Sequence, residues 1–525
     1  MNPCAHLPRT RLVVRLGLLA AMIPMLAAMV GCPDHVARHG APAHLAAPLA
    51  PGGDPAGEAY AHRGDNPFYA ADREPLSTFS ISVDTASYSN VRRFLRDNRL
   101  PPKDAVRIEE FINYFDYGYA RPDGKHPIAI QAEVGPCPWN PHHRLVRIGI
   151  QGKTIPAEET PQRNLVFLVD TSGSMNAPNR LPLFQQGLRL LVRQLTARDR
   201  VAIVQYAGRA GLVLPSTPGN QHETVIAAID SLFASGSTNG GEGIQMAYRI
   251  AEENYVKGGA NRVILGTDGD FNVGVTGSEL IRLVEAKRDS GVFLTVLGFG
   301  MGNLKDATLE GLSKHGNGQY AYIDSLAEAQ RVFVSQVGGL IPIANDVKVQ
   351  VELNPGQVKA YRLIGYENRL LADHDFNDDS KDAGDMGAGH SVTALYQIVP
   401  PGVVIDLPKI DPLKYQNQSQ PAPAAASKEL LTVKVRYIPP EEKVSCLLTA
   451  TVSDGQARIE DTSDSFRLAA AVASFGMLLR DSPCKGMASY AAAEELAQNV
   501  MLPDPHGHRQ EFVQLLGIAR RLAHK

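Results

Sequence analysis

From residue 164 to about 337 the chain alternates short apolar runs with longer segments whose apolar residues recur every three or four positions. The runs occupy 165–169, 201–206, 262–265, 292–297 and 319–323. Their length and their breaker-rich borders predict buried strands. Leu181, Phe184, Leu188, Leu191 and Leu195 lay one apolar stripe along a helix. Similar stripes run through Val225, Ile229 and Leu232, through Ile244, Tyr248 and Ala251, through Leu280, Ile281 and Val284, and over 326–337. Strands and helices in alternation predict a parallel sheet covered on both faces, a doubly wound, Rossmann-like α/β unit.

On both sides of this unit the pattern changes to strands, over 128–134 and 144–152 before it and over 346–353, 358–365, 391–399, 430–438 and 444–452 after it. Strands that precede and follow an α/β unit suggest that it is inserted in a β-rich domain built from both flanks. Helical patterns over 465–480, 490–500 and 511–523 close the chain, and a breaker-rich stretch at 416–428 divides its last third. The expected division is a signal segment 1–31, a tether 32–75, an N-terminal segment with strands 76–160, the α/β unit 161–340, and a C-terminal region 341–525 that is β-rich and then helical. No internal repeat is evident.

With 44% hydrophobic and 20% charged residues in 525, the composition argues against wholesale disorder and a polytopic membrane protein. Lys and Arg total 52 against 55 Asp and Glu, which gives no global field for nucleic acid. The asymmetry lies at the start, where Arg9, Arg11 and Arg15 precede an apolar stretch over 16–30 and no acid occurs before Asp34. That stretch is short for a bilayer span and suits a signal-peptide core. It ends Met29-Val30-Gly31-Cys32, which resembles the lipobox of bacterial lipoproteins and implies lipidation of Cys32 and a place in the bacterial cell envelope, on a periplasmic or outer-membrane face. Loss of residues 1–31 would move the formal net charge from −3 to −6. From Pro33 to about Glu58, Ala, Pro, Gly and His dominate, as in a tether. Cys137, Cys446 and Cys484 allow one disulfide at most, with buried thiols as the alternative.

The chemistry concentrates where two strands of the α/β unit end. The run 165–169 leads into Asp170-Thr171-Ser172-Gly173-Ser174, and 263–265 leads through Gly266 and Thr267 into Asp268-Gly269-Asp270. Between them the loop Gly236-Ser237-Thr238-Asn239 precedes a helix. Ligand sites of open α/β sheets form at the carboxyl ends of strands. Two carboxylates and three hydroxyls are hard oxygen donors that suit Mg²⁺, which takes about six oxygens and retains water.

Asp170, Ser172, Ser174, Thr238 and Asp268 match the five positions of the metal-ion-dependent adhesion site of von Willebrand factor type A domains, so the chain resembles that family. The resemblance implies a bound Mg²⁺ or Mn²⁺, with Ca²⁺ the poorer fit. It also implies that a protein partner supplies a Glu or Asp carboxylate to the ion. Residues 78–88 and 107–115, together with Tyr366-Glu367-Asn368-Arg369 and Gly387-Ala388-Gly389-His390, resemble the flanks of YfbK-like lipoproteins carrying this domain.

Other readings of the same residues compete. Asp170 and Asp268 could serve as helix caps. Asp268, Asp270, Asn272 and Glu279 fit four places of a calcium loop, but Val273 stands where glycine is needed. The acidic run 373–379 reads as a solvated loop. His390, with Asp382 or Asp385 nearby, could be catalytic, and a metal-assisted hydrolase at the same sheet edge could use His390 or Asp270 as base, although no GxSxG, HExxH or phosphate-loop motif is present. A structural scaffold with a stabilising metal is the third class. Trp139 reads as a core or turn anchor, and Tyr114, Phe115, Tyr117 and Tyr119 as packing beneath the β-rich domain rather than an exposed strip. The tripeptide Arg63-Gly64-Asp65 is set aside as chance.

Overall fold

The computed structural model describes residues 57–156, 158–269, 277–302, 304–407, 422–440 and 442–524. Cys32, the signal segment, the tether up to residue 56, and Asp270 and Asn272 of the alternative calcium loop lie outside them. The first flank holds β1 (Tyr69–Ala70), β2 (Leu76–Ser80), α1 (Ala86–Arg96), α2 (Ile108–Ile112), β3 (Ile128–Pro136) and β4 (Arg144–Gly152). The α/β unit follows with β5 (Arg163–Asp170), α3 (Leu181–Val192), β6 (Arg200–Tyr206), β7 (Ala210–Pro218), α4 (His222–Asp230), α5 (Gly240–Glu253), β8 (Ala260–Thr267), α6 (Gly277–Asp289), β9 (Phe293–Phe299), α7 (Asp306–His315), β10 (Tyr320–Ile323) and α8 (Leu326–Gln330). The second flank holds β11 (Pro342–Leu353), β12 (Ala360–Ile364), β13 (Gly384–Gly387), β14 (Ser391–Val399), β15 (Glu429–Ile438), β16 (Cys446–Ser453), α9 (Asp464–Arg480), α10 (Tyr490–Gln498) and α11 (His508–Ala523).

The α/β sheet has the order β10-β9-β8-β5-β6-β7, parallel except for β7, which turns back antiparallel along β6. Every residue of β5 is buried, because helices cover both of its faces. Leu165, Phe167 and Val169 face the layer of α3 and α4, and Val166 and Leu168 face that of α5, α6 and α7. β7 was not foreseen from the sequence. Its Gly211 and Pro215 weaken the strand signal, and its Leu212 stays 49% exposed at the sheet edge.

The flanks assemble as the strand pattern suggested. β4 pairs with β14 and β3, β1 pairs with β12, and β2 lies against β11, so each β-sheet outside the unit mixes strands from before and after it. Val146, Ile148 and Ile150 of β4 point into a core shared with Val349 and Val351 of β11 and Val433 and Val435 of β15. The opposite face of β4 meets the helices. Leu145 joins the core of α2, α9 and α11, and the Tyr119 ring occupies the space that any side chain at Gly149 would need. The chain is therefore α/β, a doubly wound unit inserted in a β-rich domain with a helical C-terminal segment.

Several local expectations change. Residues 57–75, read as the end of the tether, pack on the folded body: the Ala59 amide donates to the Leu304 carbonyl at 3.0 Å, and Arg63 pairs with Glu310 at 2.8 Å. Asp65 pairs with Arg480 at 3.2 Å, so Arg63-Gly64-Asp65 is wired into the structure. The helix expected over 326–337 is regular only to Gln330. It then widens into the turn Arg331–Ser335, where Arg331 is drawn onto Glu328 and Thr85. Trp139 is a core anchor that donates to Gln397 Oε1 at 3.1 Å, and Tyr114, Phe115, Tyr117 and Tyr119 are buried. The three described cysteines are free thiols.

α1 is unlike the other helices in being polar yet buried over Ala86–Leu95. Its Arg92 reaches Asp324 at 2.8 Å, the Tyr114 hydroxyl at 2.7 Å, Glu328 at 2.9 Å and Glu511 at 3.1 Å. One guanidinium thus joins the first flank, the end of the α/β unit and the last helix.

Candidate metal centre

The chain runs β5, β6, β7 to one side and then crosses back to place β8 on the other side of β5. The loops leaving β5 and β8 therefore diverge at a topological switch point, where a ligand crevice forms. Asp170 ends β5 and is fully buried. Its Oδ1 accepts the Ser172 amide at 2.9 Å, and its Oδ2 accepts the Tyr206 and Thr267 hydroxyls, each at 3.1 Å. The next helical turn, Gly173–Asn176, has Ser172 at its N-cap position, so Asp170 is not the helix cap. Burial pushes its carboxyl up, hydrogen bonds from Ser172 and Thr267 oppose this, and neighbouring Asp268 adds to the rise, leaving it at about 6.

Ser172 Oγ and Ser174 Oγ lie 3.0 Å apart in the turn after β5. The loop before α5 is stitched to that turn, with the Gly173 amide donating to the Gly236 carbonyl at 3.0 Å and the Ser235 amide to the Thr171 carbonyl at 2.7 Å. A further bond from the Asn239 amide to the Ala207 carbonyl, 2.7 Å, holds half-buried Thr238 between these anchors. Asp268 follows β8, 1% exposed, on a chain reversal in which the Gly269 amide bonds Thr267 Oγ1 at 3.2 Å. The positive φ of Gly269, 102°, suits glycine.

A residue absent from the sequence-based set completes the edge. Arg180 Nη1 donates to Asp268 Oδ2 at 2.7 Å and to the Ser174 carbonyl at 2.6 Å, while Nη2 donates to the Met301 carbonyl at 2.7 Å. Asking what balances two adjacent carboxylates would have pointed to it, as the basic residue just before α3. The donor set suits a hard cation, with two hydroxyl oxygens in contact and a buried carboxylate fixed by its neighbours. Among the described residues no three His, Cys, Asp or Glu side chains converge as a metal cage, so a cation here depends on the Ser and Thr hydroxyls.

His390 belongs elsewhere. It lines a cavity that none of the five residues lines, and neither ring nitrogen has a hydrogen-bond partner. Asp382 instead pairs with Arg288 at 3.0 Å, and Asp385 accepts the Asp346 amide at 3.0 Å. The acidic run 373–379 is not a free solvated loop: Asp373 accepts the Thr78 hydroxyl at 2.8 Å, Asn377 Oδ1 accepts from Arg436 at 2.9 Å, Asp379 accepts the Ser445 amide at 3.2 Å, and Phe376 is buried.

Comparison with known proteins agrees with this architecture. Residues 164–336 match the von Willebrand factor type A domain family, 54–147 a von Willebrand factor family, and 338–522 the family described as uncharacterized protein YfbK, C-terminal. The uncharacterized protein YfbK of Escherichia coli (strain K12) is 43% identical over 464 residues, covering 87% of this chain and 80% of that protein. A UPF0353 protein of Mycolicibacterium paratuberculosis is 30% identical over 148 residues, covering 26% of this chain and 44% of that protein. Among solved structures, a von Willebrand factor type A protein from Catenulispora acidiphila overlays with a TM-score of 0.41 at 16% identity, covering 76% of this chain and 91% of that one. With its identity to the Escherichia coli protein spanning most of both chains, this chain belongs to the YfbK family and carries a von Willebrand factor type A domain.

Proposed function

We propose that this is a lipid-anchored protein of the bacterial cell envelope that binds a partner protein through a metal ion. Asp170, Ser172, Ser174, Thr238 and Asp268 would hold Mg²⁺ or Mn²⁺. The observation that carries the reading is the meeting of a buried, hydrogen-bonded carboxylate with two serine hydroxyls 3.0 Å apart at the β5/β8 switch point. The ion would supply a positive charge with an exchangeable position for a Glu or Asp of the partner. Tyr206 and Thr267 keep Asp170 oriented, and Arg180 neutralises Asp268 until a cation competes for it. The lipid anchor rests on Cys32 and the segment before it.

Calorimetric titration of the purified protein with MgCl₂ tests the metal site, alongside an Asp170→Ala/Asp268→Ala variant and Ser174→Ala, whose side chain is exposed. Saturable heat in the wild type and its loss in both variants are expected. Identical heats in all three proteins would refute the site. Crosslinking in native envelopes with and without chelator then tests the partner: one acidic-surfaced protein should be captured in a chelator-sensitive way.

A further inference from the structure

Away from the metal centre, a cavity of about 520 Å³ opens where four parts of the chain meet. They are the aromatic segment around Tyr114, the exit of the α/β unit at Arg331 and Gln336, the turn before β14 at His390, and the start of α11 at His508. Its size falls in the usual range of small-molecule sites.

Buried polar atoms in folded proteins almost always have a hydrogen-bond partner. Four residues that line this cavity carry five buried side-chain atoms without such a partner among the described residues: Arg331 Nη1, Gln336 Oε1, both ring nitrogens of His390, and His508 Nε2. Arg331 is only 5% exposed. Its Nε and Nη2 are engaged by Glu328 at 2.9 and 2.6 Å, Nη2 also reaches Thr85 Oγ1 at 2.6 Å, and its guanidinium carbon stands 4.3 Å from the Tyr114 ring centroid. The geometry thus fixes the group and leaves Nη1 without a partner among the described residues. The His390 ring lies against Gly339, where any side chain would collide with it. The His508 ring meets Tyr114 edge-on with centroids 5.4 Å apart.

The unpartnered atoms belong mainly to donor groups, a guanidinium and two imidazoles that each carry at least one N–H, against a single amide oxygen. The two acids at the cavity each have one oxygen engaged locally, Asp504 Oδ2 accepting the Arg509 and Gln510 amides and Asp116 Oδ1 the Gly118 amide. Arg121 and Arg509 add positive charge. Clustered donors with net positive charge select oxygen anions. We propose that this cavity binds a small molecule bearing a carboxylate or phosphate group, held between the exit of the α/β unit and the helical close. The inference does not depend on the metal reading.

The test is calorimetric titration of the full-length protein with inorganic phosphate and, separately, succinate, at matched ionic strength, in wild type and in the Ser174→Ala background. His508→Phe keeps the ring on Tyr114 but removes the nitrogens, and Arg509→Gln removes one of the positive charges that line the cavity. The expected result is saturable binding of at least one probe, unaffected by Ser174→Ala and weakened about tenfold or more by at least one cavity variant. Which probe binds distinguishes a carboxylate from a phosphate ligand. No saturable heat with either probe up to about 10 mM, or binding unchanged in both cavity variants, would overturn the proposal.

Discussion

Arg180 Nη1 sits 2.7 Å from Asp268 Oδ2, a guanidinium 15% exposed against a carboxylate with no exposure. The pair places an internal positive charge at the edge where a divalent ion would settle. On the proposed metal reading the ion and the guanidinium would compete for the same carboxylate, so Arg180 would lower the affinity of the site for metal. Arg180→Gln should therefore bind Mg²⁺ about tenfold more tightly than the wild type by calorimetry. Unchanged or weaker binding would show that the pair does not oppose the ion.

Gly266 precedes Thr267 and Asp268 in β8, and a side chain there would run into the Phe184 ring. That ring is fully buried, with its centroid 4.8 Å from that of Phe299 and 6.3 Å from that of Phe333, so it has little room to yield. Gly266→Ala should cost about 1–3 kcal/mol in urea unfolding. A wild-type midpoint would contradict the packing argument.

Burial alone would raise the Glu328 carboxyl, but Arg331 and Arg92 outweigh it and hold it down to about 2. A carboxyl depressed by folding contributes stability above its unfolded value of 4.5, and that contribution drains away as pH falls toward 2. Glu328→Gln should destabilise by about 3 kcal/mol at pH 7, since it leaves two buried guanidinium groups short of a partner. The difference from wild type should shrink by pH 3 in paired urea titrations. An equal difference at both pH values would count against this linkage.

Cys137 is buried, and burial pushes its thiol up to about 12. At pH 8 only about one molecule in 10⁴ would carry the reactive thiolate. In a background with Cys4, Cys32, Cys446 and Cys484 all replaced by Ser, a thiol reagent should leave the native protein unlabelled and label it fully in denaturant. Labelling of the native state at the rate of an exposed thiol would refute the burial.

Most of the α/β unit was legible because its signals are local. Runs such as 165–169 are apolar on both faces, and the stripes of α3 and α5 repeat at helical spacing. The five candidate residues stood out as a motif for a related reason, since each follows a strand or precedes a helix that has its own pattern. α1 escaped because it inverts the usual rule, burying Arg92 and Arg93 in ion pairs with residues far along the chain. Arg180 escaped because its role depends on Asp268, 88 positions away. The start of the folded body was placed late because residues 57–75 are held by isolated bonds to distant elements rather than by any periodic pattern.

The sandwich built from both flanks also sets an order of assembly. The sheet of the α/β unit is closed among β5 to β10, whereas Val146 of β4 has its register partner in Tyr396 of β14. On a chain that emerges from its N-terminus at about 5–20 residues per second, the edge of β4 that faces β14 waits unpaired for many seconds after β3 and β4 appear. During that interval the inserted unit can fold and bring its two ends together. The long excursion is then no longer a flexible loop whose closure must be paid for in entropy, and the waiting strands meet their partners across a short gap.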